Sequence, residues 1–289
     1  MGIIFVDFYG VIIKFIGNSY SSPQLAFFRN FFALIPIIFL FIINRDIKNI
    51  FVGISKKFLF LCFLRGISFV LMQIFYYISI INMNFATATT LTFSSPIFIV
   101  VLSMLVLKEK IGLFRWSAIF IGFGGVLLIM NPTSELFSYI SILPLLAALC
   151  WAISNIVLKF IPEDISSVKI NFYSINFSYI GSLIILFFSS DFSPVENSFD
   201  WLLLILIGIL GGIASILFSF AYRVVSPSTL APFEYLGIPS SFILGWIFFY
   251  EAPIEQLFPG VLGIVAAGFI IIWREKKLSI GKIVSNKIH

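Results

Sequence analysis

Histidine, cysteine and charge are all scarce in this chain of 289 residues, which has one histidine, two cysteines and only 11% charged residues. Since the single histidine is the last residue, histidine-based catalysis and histidine-ligated metal sites are not expected. The sequence has no Walker A loop, no H-E-x-x-H helix and no G-x-S-x-G elbow. Cys62 and Cys150 lie inside long apolar runs, which does not support a disulfide framework. These absences argue against an enzyme, and we expect no cofactor and no metal.

Apolar residues are abundant, at 60% of the chain with a mean hydropathy of +1.11. A helix of about 20 apolar residues crosses a hydrocarbon layer roughly 30 Å thick, and the alternation of a membrane β-barrel is missing. We therefore predict an all-α integral membrane protein with ten transmembrane helices, of which the first is short. The predicted spans are 2–17, 22–43, 58–81, 86–107, 112–130, 139–160, 166–189, 200–222, 228–250 and 256–273.

The basic residues in the connections and at the adjoining ends of the spans all fall on one side if the N-terminus is cytoplasmic, and the five opposite connections contain none. They are Arg45, Lys48, Lys56, Lys57, Lys108, Lys110, Arg115, Lys159, Lys169, Arg223, Arg274, Lys276, Lys277, Lys282 and Lys287. This pattern predicts a multi-pass protein of the cell inner membrane with both termini cytoplasmic, and it explains the net charge of +5 without a nucleic-acid partner. The cytoplasmic tail at 276–289 is interpreted as a positive-inside signal, with attraction to anionic membrane lipid as the alternative.

Two halves of the chain resemble each other. SSPIFIVVLSMLVLKEKI at 94–111 is followed by a glycine-rich run, as is GIPSSFILGWIFFYEAPI at 237–254. The matching residues are Pro96 with Pro239, Glu109 with Glu251, and Tyr77 with Tyr222. Five helices per half is an odd number, so we predict two inverted repeats, 1–130 and 131–275, of the kind that secondary transporters use with a substrate site between the halves.

Seven segments carry a resemblance to a known family: AFFRNF at 26–31, FLRG at 63–66, SSPIF at 94–98, LKEKI at 107–111, GFGG at 122–125, ISNIVLKF at 153–160 and YEAPI at 250–254. With these segments the chain resembles the drug/metabolite transporter superfamily, of the ten-helix EamA-like type, over essentially its whole length. The resemblance implies inverted five-helix halves, a central cavity and transport of small metabolites without ATP. AFFR, LRG and APFEYL at 231–236 are similar to the branch that contains bacterial S-adenosylmethionine uptake carriers.

Apart from the basic residues at the cytoplasmic span ends and Asp200 at the first position of its span, five ionisable residues fall inside predicted spans, where each costs roughly 2.5–3.5 kcal/mol at a helix centre: Asp7, Lys14, Arg29, Arg65 and Glu234. Arg65 and Glu234 both lie about 10 Å deep from the cytoplasmic side. They are interpreted either as an ion pair that fixes packing or a gate, or as ligands of a substrate carboxylate and a substrate cation. Arg29 is expected to bind a substrate carboxylate or to hold the connection between helices 1 and 2. Lys14 is expected to snorkel to the interface, or to line one cavity wall with Asp7.

Uncharged polar and aromatic side chains in the spans complete the candidate substrate site, because a buried hydroxyl, amide or indole N–H needs a partner and aromatic faces attract cations. They are Gln73, Tyr76, Tyr77, Thr89, Thr92, Ser94, Trp151, Ser154, Asn155, Ser219, Tyr222 and Tyr235. Pro96 and Pro239 are expected inside helices 4 and 9, where each frees a backbone carbonyl for a cavity or a hinge.

The function predicted from these observations is secondary transport of a small polar metabolite by alternating access. The expected substrate is an amino-acid-like or S-adenosylmethionine-like organic cation or zwitterion. The alternative is riboflavin or an aromatic amino acid, and an integral-membrane enzyme is the disfavoured class. Import and export both remain open, as do coupling by substrate exchange and coupling by protons through Glu234 or Asp7. The oligomeric state is open as well.

Overall fold

Helices dominate the computed structural model, which describes residues 2–44, 50–109, 112–130, 139–189, 191–251, 254–270 and 273, and these residues contain no strand. Helical structure is what apolar surroundings require, since a helix satisfies its own backbone hydrogen bonds. The α-helices are α1 Gly2–Ile16, α2 Ser22–Ile43, α3 Lys56–Asn82, α4 Phe85–Thr92, α5 Ser95–Leu107, α6 Leu113–Met130, α7 Leu143–Val157, α8 Ser167–Ser189, α9 Ser198–Val224, α10 Pro227–Leu230, α11 Gly237–Phe249, α12 Ile254–Leu257 and α13 Gly260–Ile270. Short 3₁₀ segments, Tyr139–Ile142, Leu158–Phe160 and Ala231–Leu236, extend α7 at both ends and join α10 to α11.

Six of the described helical stretches are long and apolar enough to cross a membrane, which confirms a multi-span membrane protein. They are Ser22–Ile43, Lys56–Asn82, Phe85–Leu107, Tyr139–Phe160, Ser167–Ser189 and Ser198–Val224. The helix α1 has 15 residues and is short, as the sequence predicts. The count of ten spans stays a prediction, and the predicted tail at 276–289 lies outside the described residues.

Two of the predicted spans are interrupted, which corrects the expectation of continuous helices at 86–107 and 228–250. The first breaks between Thr92 and Ser95, and the second passes through the 3₁₀ segment before α11. Pro96 is therefore the second residue of α5 and Pro239 the third residue of α11. The backbone N–H groups in the first turn of a helix have no carbonyl acceptor within that helix. Proline, which lacks an N–H, is therefore tolerated there. The expectation of prolines in the interior of helices 4 and 9 is wrong.

Small residues allow the helices to approach closely. A Cβ placed on Gly208 of α9 would lie 2.2 Å from the Cβ of Phe32 on α2. One on Gly125 of α6 would lie 2.4 Å from the carbonyl oxygen of Gly260. Close backbone approach of this kind is typical of helix contacts in membranes.

The outer surface of the helices is apolar. Phe39, Phe120 and Phe187 are 60%, 68% and 79% exposed, and many other large apolar side chains are similarly placed. An apolar surface this extensive indicates contact with lipid rather than with water. The polar residues face inward, where they form the site described next.

Candidate substrate cavity

A cavity lies between helices of both halves of the chain. It encloses about 580 Å³ of space not filled by atoms, including the space open at its mouth. The walls come from α1, α3, α4, α7, α9, the start of α5 and the 3₁₀ segment before α11. Its lining residues are Ile3, Val6, Asp7, Tyr9, Met72, Tyr76, Thr89, Thr92, Phe93, Ser95, Trp151, Phe218 and Glu234. Among the residues that the structure describes, this lining contains two carboxylates and no lysine or arginine.

The Glu234 carboxylate is 4% exposed and is held by three donors from three different helices. Its Oε1 accepts from the Tyr222 hydroxyl at 2.6 Å and from the Trp151 indole N–H at 2.8 Å. Its Oε2 accepts from the Ser95 hydroxyl at 2.6 Å. Three donors stabilise an ionised carboxylate in surroundings that otherwise disfavour charge. Glu234 is therefore held in one position at the cavity wall, with both carboxylate oxygens hydrogen-bonded.

Asp7 is the second carboxylate of the cavity, and its surroundings differ from those of Glu234. It is 1% exposed, and its Oδ2 contacts the hydroxyl of Ser240 on α11. The other oxygen, Oδ1, is buried without a hydrogen-bond partner. A buried carboxylate with one donor and no basic neighbour in the cavity is costly when ionised. A proton or a bound cation would remove that cost.

Aromatic side chains form much of the remaining wall. The indole ring of Trp151 meets the Phe218 ring edge to face, with centroids 4.9 Å apart. Tyr9, Tyr76 and Phe93 line the cavity as well. Aromatic faces near carboxylates suit a ligand that combines a positive charge with a flat ring, because both the charge and the ring are attracted.

Arg65 does not pair with Glu234, so the predicted ion pair is wrong. Its guanidinium donates to Ser219 Oγ at 2.7 Å and to Asn171 Oδ1 at 3.3 Å, and its Nε is buried without a partner. Ser219 and Tyr222 are three residues apart and therefore lie on the same face of α9. Tyr222 is the residue that donates to Glu234. About one turn of α9 separates the groups that Arg65 and Glu234 contact.

Arg29 lies behind the cavity wall rather than in it. Its guanidinium donates to the Gly211 carbonyl at 2.8 Å and to the Asn30 amide oxygen at 3.0 Å. It sits 4.7 Å from the ring centroid of Phe69 and 5.9 Å from that of Tyr9. These contacts join α2 to α9 and α3, which corrects the expectation that Arg29 holds the connection between helices 1 and 2.

Lys14 neither snorkels nor shares the cavity wall with Asp7, and both expectations are corrected. Its ammonium donates to both oxygens of Glu251, at 2.6 and 2.9 Å, and to the Met83 carbonyl at 2.8 Å. The ammonium also lies 5.0 Å from the ring centroid of Phe249. Its charge is thus satisfied inside the protein, away from the cavity.

The cavity brings together only some of the predicted site residues. Asp7, Tyr76, Thr89, Thr92, Trp151 and Glu234 line it, and Tyr222 contacts Glu234 from behind. The predicted residues outside the lining are Lys14, Arg29, Arg65, Gln73, Tyr77, Ser94, Ser154, Asn155, Ser219 and Tyr235. Gln73 faces Asn30, and Asn155 donates to the Trp151 carbonyl of its own helix.

Sequence reasoning missed several residues of the site. Tyr9, Ser95 and Ser240 contact or flank the two carboxylates. Tyr9 follows Asp7 by two positions, and Ser95 precedes Pro96 at the helix break, so proximity to an intramembrane charge or to a proline was the available signal. Ser240 directly follows Pro239 and so carries the same proline signal, although its contact with Asp7 also depends on how α11 is rotated.

Comparison with known proteins gives a consistent result. A profile of the EamA-like transporter family matches residues 1–131 and 138–273. An S-adenosylmethionine uptake transporter of Rickettsia bellii is 29% identical over 275 residues, covering 94% of this chain and 91% of that protein. A riboflavin transporter of Vibrio cholerae is 32% identical over 189 residues, covering 65% of this chain and 62% of that protein.

A crystal structure with 14% sequence identity superposes on 96% of this chain and 98% of its own, with a TM-score of 0.65. At that identity the likeness concerns the fold alone.

Proposed function

Because the chain belongs to the EamA-like transporter family, we propose that it moves a small organic cation or zwitterion across the cell inner membrane by alternating access. The substrate class is that of S-adenosylmethionine, which the name of the Rickettsia relative gives as its substrate. Glu234 binds the positive centre of the substrate, and Trp151, Tyr76 and Tyr9 contact its ring.

The observation that carries this proposal is a cavity whose described lining has two carboxylates and no basic residue. A substrate of net charge +1 neutralises one of the two carboxylates, and a proton on the other completes the neutralisation. Glu234 with its three donors is the carboxylate that stays ionised, and Asp7 with its unpartnered oxygen is the one that takes the proton. A neutral ligand such as riboflavin leaves the charge of Glu234 without a counterion.

Alternating access is proposed to rest on two inverted halves, 1–130 and 131–275. Two separate segments of the chain match the family profile, and α3 and α9 have 27 residues each. The helices α5 and α11 both end at a left-handed residue, Lys108 with φ 55° and Tyr250 with φ 56°. If α1 corresponds to α7, α3 to α9 and α5 to α11, each contact between the halves has a counterpart. The contact of α1 with α9 matches that of α7 with α3, and the contact of α1 with α11 matches that of α7 with α5. A two-fold relation between the halves produces these matched contacts.

Cytoplasmic termini are proposed from the charges of the connections, and side-chain contacts support the grouping of those connections. Lys169 donates to the Val52 carbonyl, and Arg223 donates to the Pro162 carbonyl at 2.7 Å, so three basic connections meet at one end. Contacts at the other end join Tyr20 to Asp200 and Gln24 to Ser193. The basic end is the cytoplasmic one by the positive-inside rule.

Thermal stabilisation of the purified protein by ligands tests the substrate class. We expect S-adenosylmethionine at 100 times its Kd to stabilise the protein by about 2.7 kcal/mol. S-adenosylhomocysteine, which lacks the sulfonium charge, and riboflavin are expected to stabilise it much less. Glu234→Gln should lose most of the S-adenosylmethionine effect, while the control Glu255→Gln, at an exposed position in α12, should keep it. Equal stabilisation by riboflavin and S-adenosylmethionine in all three proteins would contradict the proposal.

A further inference from the structure

We propose that Glu109 and Glu251 are matched positioning residues that seal opposite ends of the transport path. Each does so by pairing with a lysine, Lys159 for Glu109 and Lys14 for Glu251. The two lysines are at matching places in the repeat, since VIIKFI at 11–16 resembles IVLKFI at 156–161. The proposal rests on the alternating access proposed above, and it concerns residues outside the substrate cavity.

At one end of the molecule, Glu251 joins three segments. It follows the left-handed residue Tyr250 that terminates α11, and its amide donates to the Gly245 carbonyl at 3.2 Å. Its carboxylate accepts from the Lys14 ammonium of α1 and from the backbone N–H of Phe85 at 2.6 Å. Phe85 is the first residue of α4, so the carboxylate lies at a helix N-terminus, where negative charge is favoured. A residue of the second half thus caps the interrupted helix of the first half and holds α1 against it.

At the other end, Glu109 has the same construction with the halves exchanged. It follows the left-handed residue Lys108 that ends α5, and its amide donates to the Ser103 carbonyl at 3.2 Å. Its carboxylate accepts from the hydroxyl of Ser228, in the first turn of α10, at 2.6 Å. Pro227 begins α10 and has no N–H, so the hydroxyl of Ser228 supplies the donor that the backbone of Phe85 supplies at the first end.

The two ends differ in their lysines. Lys14 is paired with Glu251, and this is the ion pair found among the residues that the structure describes. Lys159 interacts electrostatically with both Glu109 and Glu163 but donates to the Arg223 carbonyl at 3.1 Å, and no ion pair joins it to Glu109. The end at Lys14 is sealed, and the end at Lys159 lacks the corresponding seal.

A second cavity agrees with this difference. It runs between the start of α1 and the last turns of α9, and it shares Ile3, Phe218 and Glu234 with the first cavity. The start of α1 and the end of α9 belong to the Lys159 end, so Glu234 is approached from the unsealed side. Rocking of the halves would form Lys159–Glu109 and break Lys14–Glu251, since one seal at a time is what alternating access requires.

Cysteine labelling from each side of sealed membrane vesicles tests the two seals. A Thr92→Cys reporter in the cavity wall would be labelled with a membrane-impermeant maleimide, and the chain without the reporter, with Cys62 and Cys150, gives the background. Glu251→Gln should raise labelling from the Lys14 side by about threefold or more, because it shifts the population toward states open on that side. Glu109→Gln should shift labelling the opposite way, toward the Lys159 side.

Lys14→Met and Lys159→Met separate sealing from capping, since they remove the ion pairs and leave both carboxylates at their helix starts. They should reproduce the opposite shifts of Glu251→Gln and Glu109→Gln, and they keep the test intact if a glutamate variant does not fold. The proposal would be overturned if the variants at the Lys14 end and those at the Lys159 end shifted labelling toward the same side. It would also be overturned if neither lysine variant shifted the labelling. Labelling needs no substrate, so an error in the proposed substrate class leaves this result unchanged.

Discussion

At the scale of single residues, the charge of Glu234 within a predicted span marks it as a site candidate, and the structure places it in the cavity lining, whereas its hydrogen-bond partners are not predictable from the sequence. The position of a side chain depends both on its depth along the helix and on the rotation of the helix about its axis. The sequence predicts the depth but not the rotation. The sequence predicts similar depths for Arg65 and Glu234, yet Arg65 contacts Ser219 and Glu234 contacts Tyr222. The contact between Trp151 and Glu234 was equally unpredictable, because it depends on the packing of α7 against the 3₁₀ segment Ala231–Leu236.

The two matched tyrosines offer a direct test of this arrangement. Tyr222 donates to Glu234 at 2.6 Å, whereas the hydroxyl of Tyr77 is buried without a partner. Tyr222→Phe should lower the free energy of unfolding by about 1.5–3 kcal/mol, the range for hydrogen bonds to charged groups. Tyr77→Phe should be neutral or slightly stabilising. Denaturation of the purified protein in detergent gives both values, and equal losses would show that Tyr222 does not support the carboxylate.

At the scale of helices, the sequence predicts the continuous elements well and the interruptions poorly. The runs that became α2, α3, α8 and α9 agree with the predicted spans within a few residues. The break after α4 was concealed in an apolar run, although the run contains threonines whose hydroxyls bond back to the helix. Thr90 and Thr92 donate to the carbonyls four residues earlier, and such back-bonding bends helices. A threonine-rich stretch before Pro96 was therefore the missed signal.

Helix contacts can be tested with two glycines. Gly208→Ala would drive a methyl group into Phe32 and should destabilise the protein by about 1–3 kcal/mol, as overpacking does. A Cβ on Gly124 of α6 would meet nothing within 4 Å, so Gly124→Ala should be neutral or stabilising by up to about 1 kcal/mol. Thermal or denaturant unfolding of the two variants distinguishes these outcomes. A larger loss for Gly124→Ala would contradict the helix contacts described here.

At the scale of the whole molecule, composition and hydropathy were sufficient to predict a multi-span membrane protein, and the placement of lysine and arginine predicts its orientation. The interleaving of the halves was not predictable, since α1 contacts α9 and α11 of the other half. That interleaving creates the cavity: Asp7 comes from the first half and Glu234 from the second. Both carboxylates can therefore be identified from the sequence, but the cavity between them cannot.

Substrate exchange in proteoliposomes tests the central claim most directly. Vesicles loaded with unlabelled S-adenosylmethionine would be supplied with the labelled compound, using the wild-type protein, Glu234→Gln and Glu255→Gln. We predict exchange by the wild type and by Glu255→Gln, with a loss of about tenfold or more in Glu234→Gln, equivalent to about 1.4 kcal/mol of binding. Exchange at the wild-type rate in Glu234→Gln, or exchange of riboflavin but not of S-adenosylmethionine by the wild type, would contradict the account.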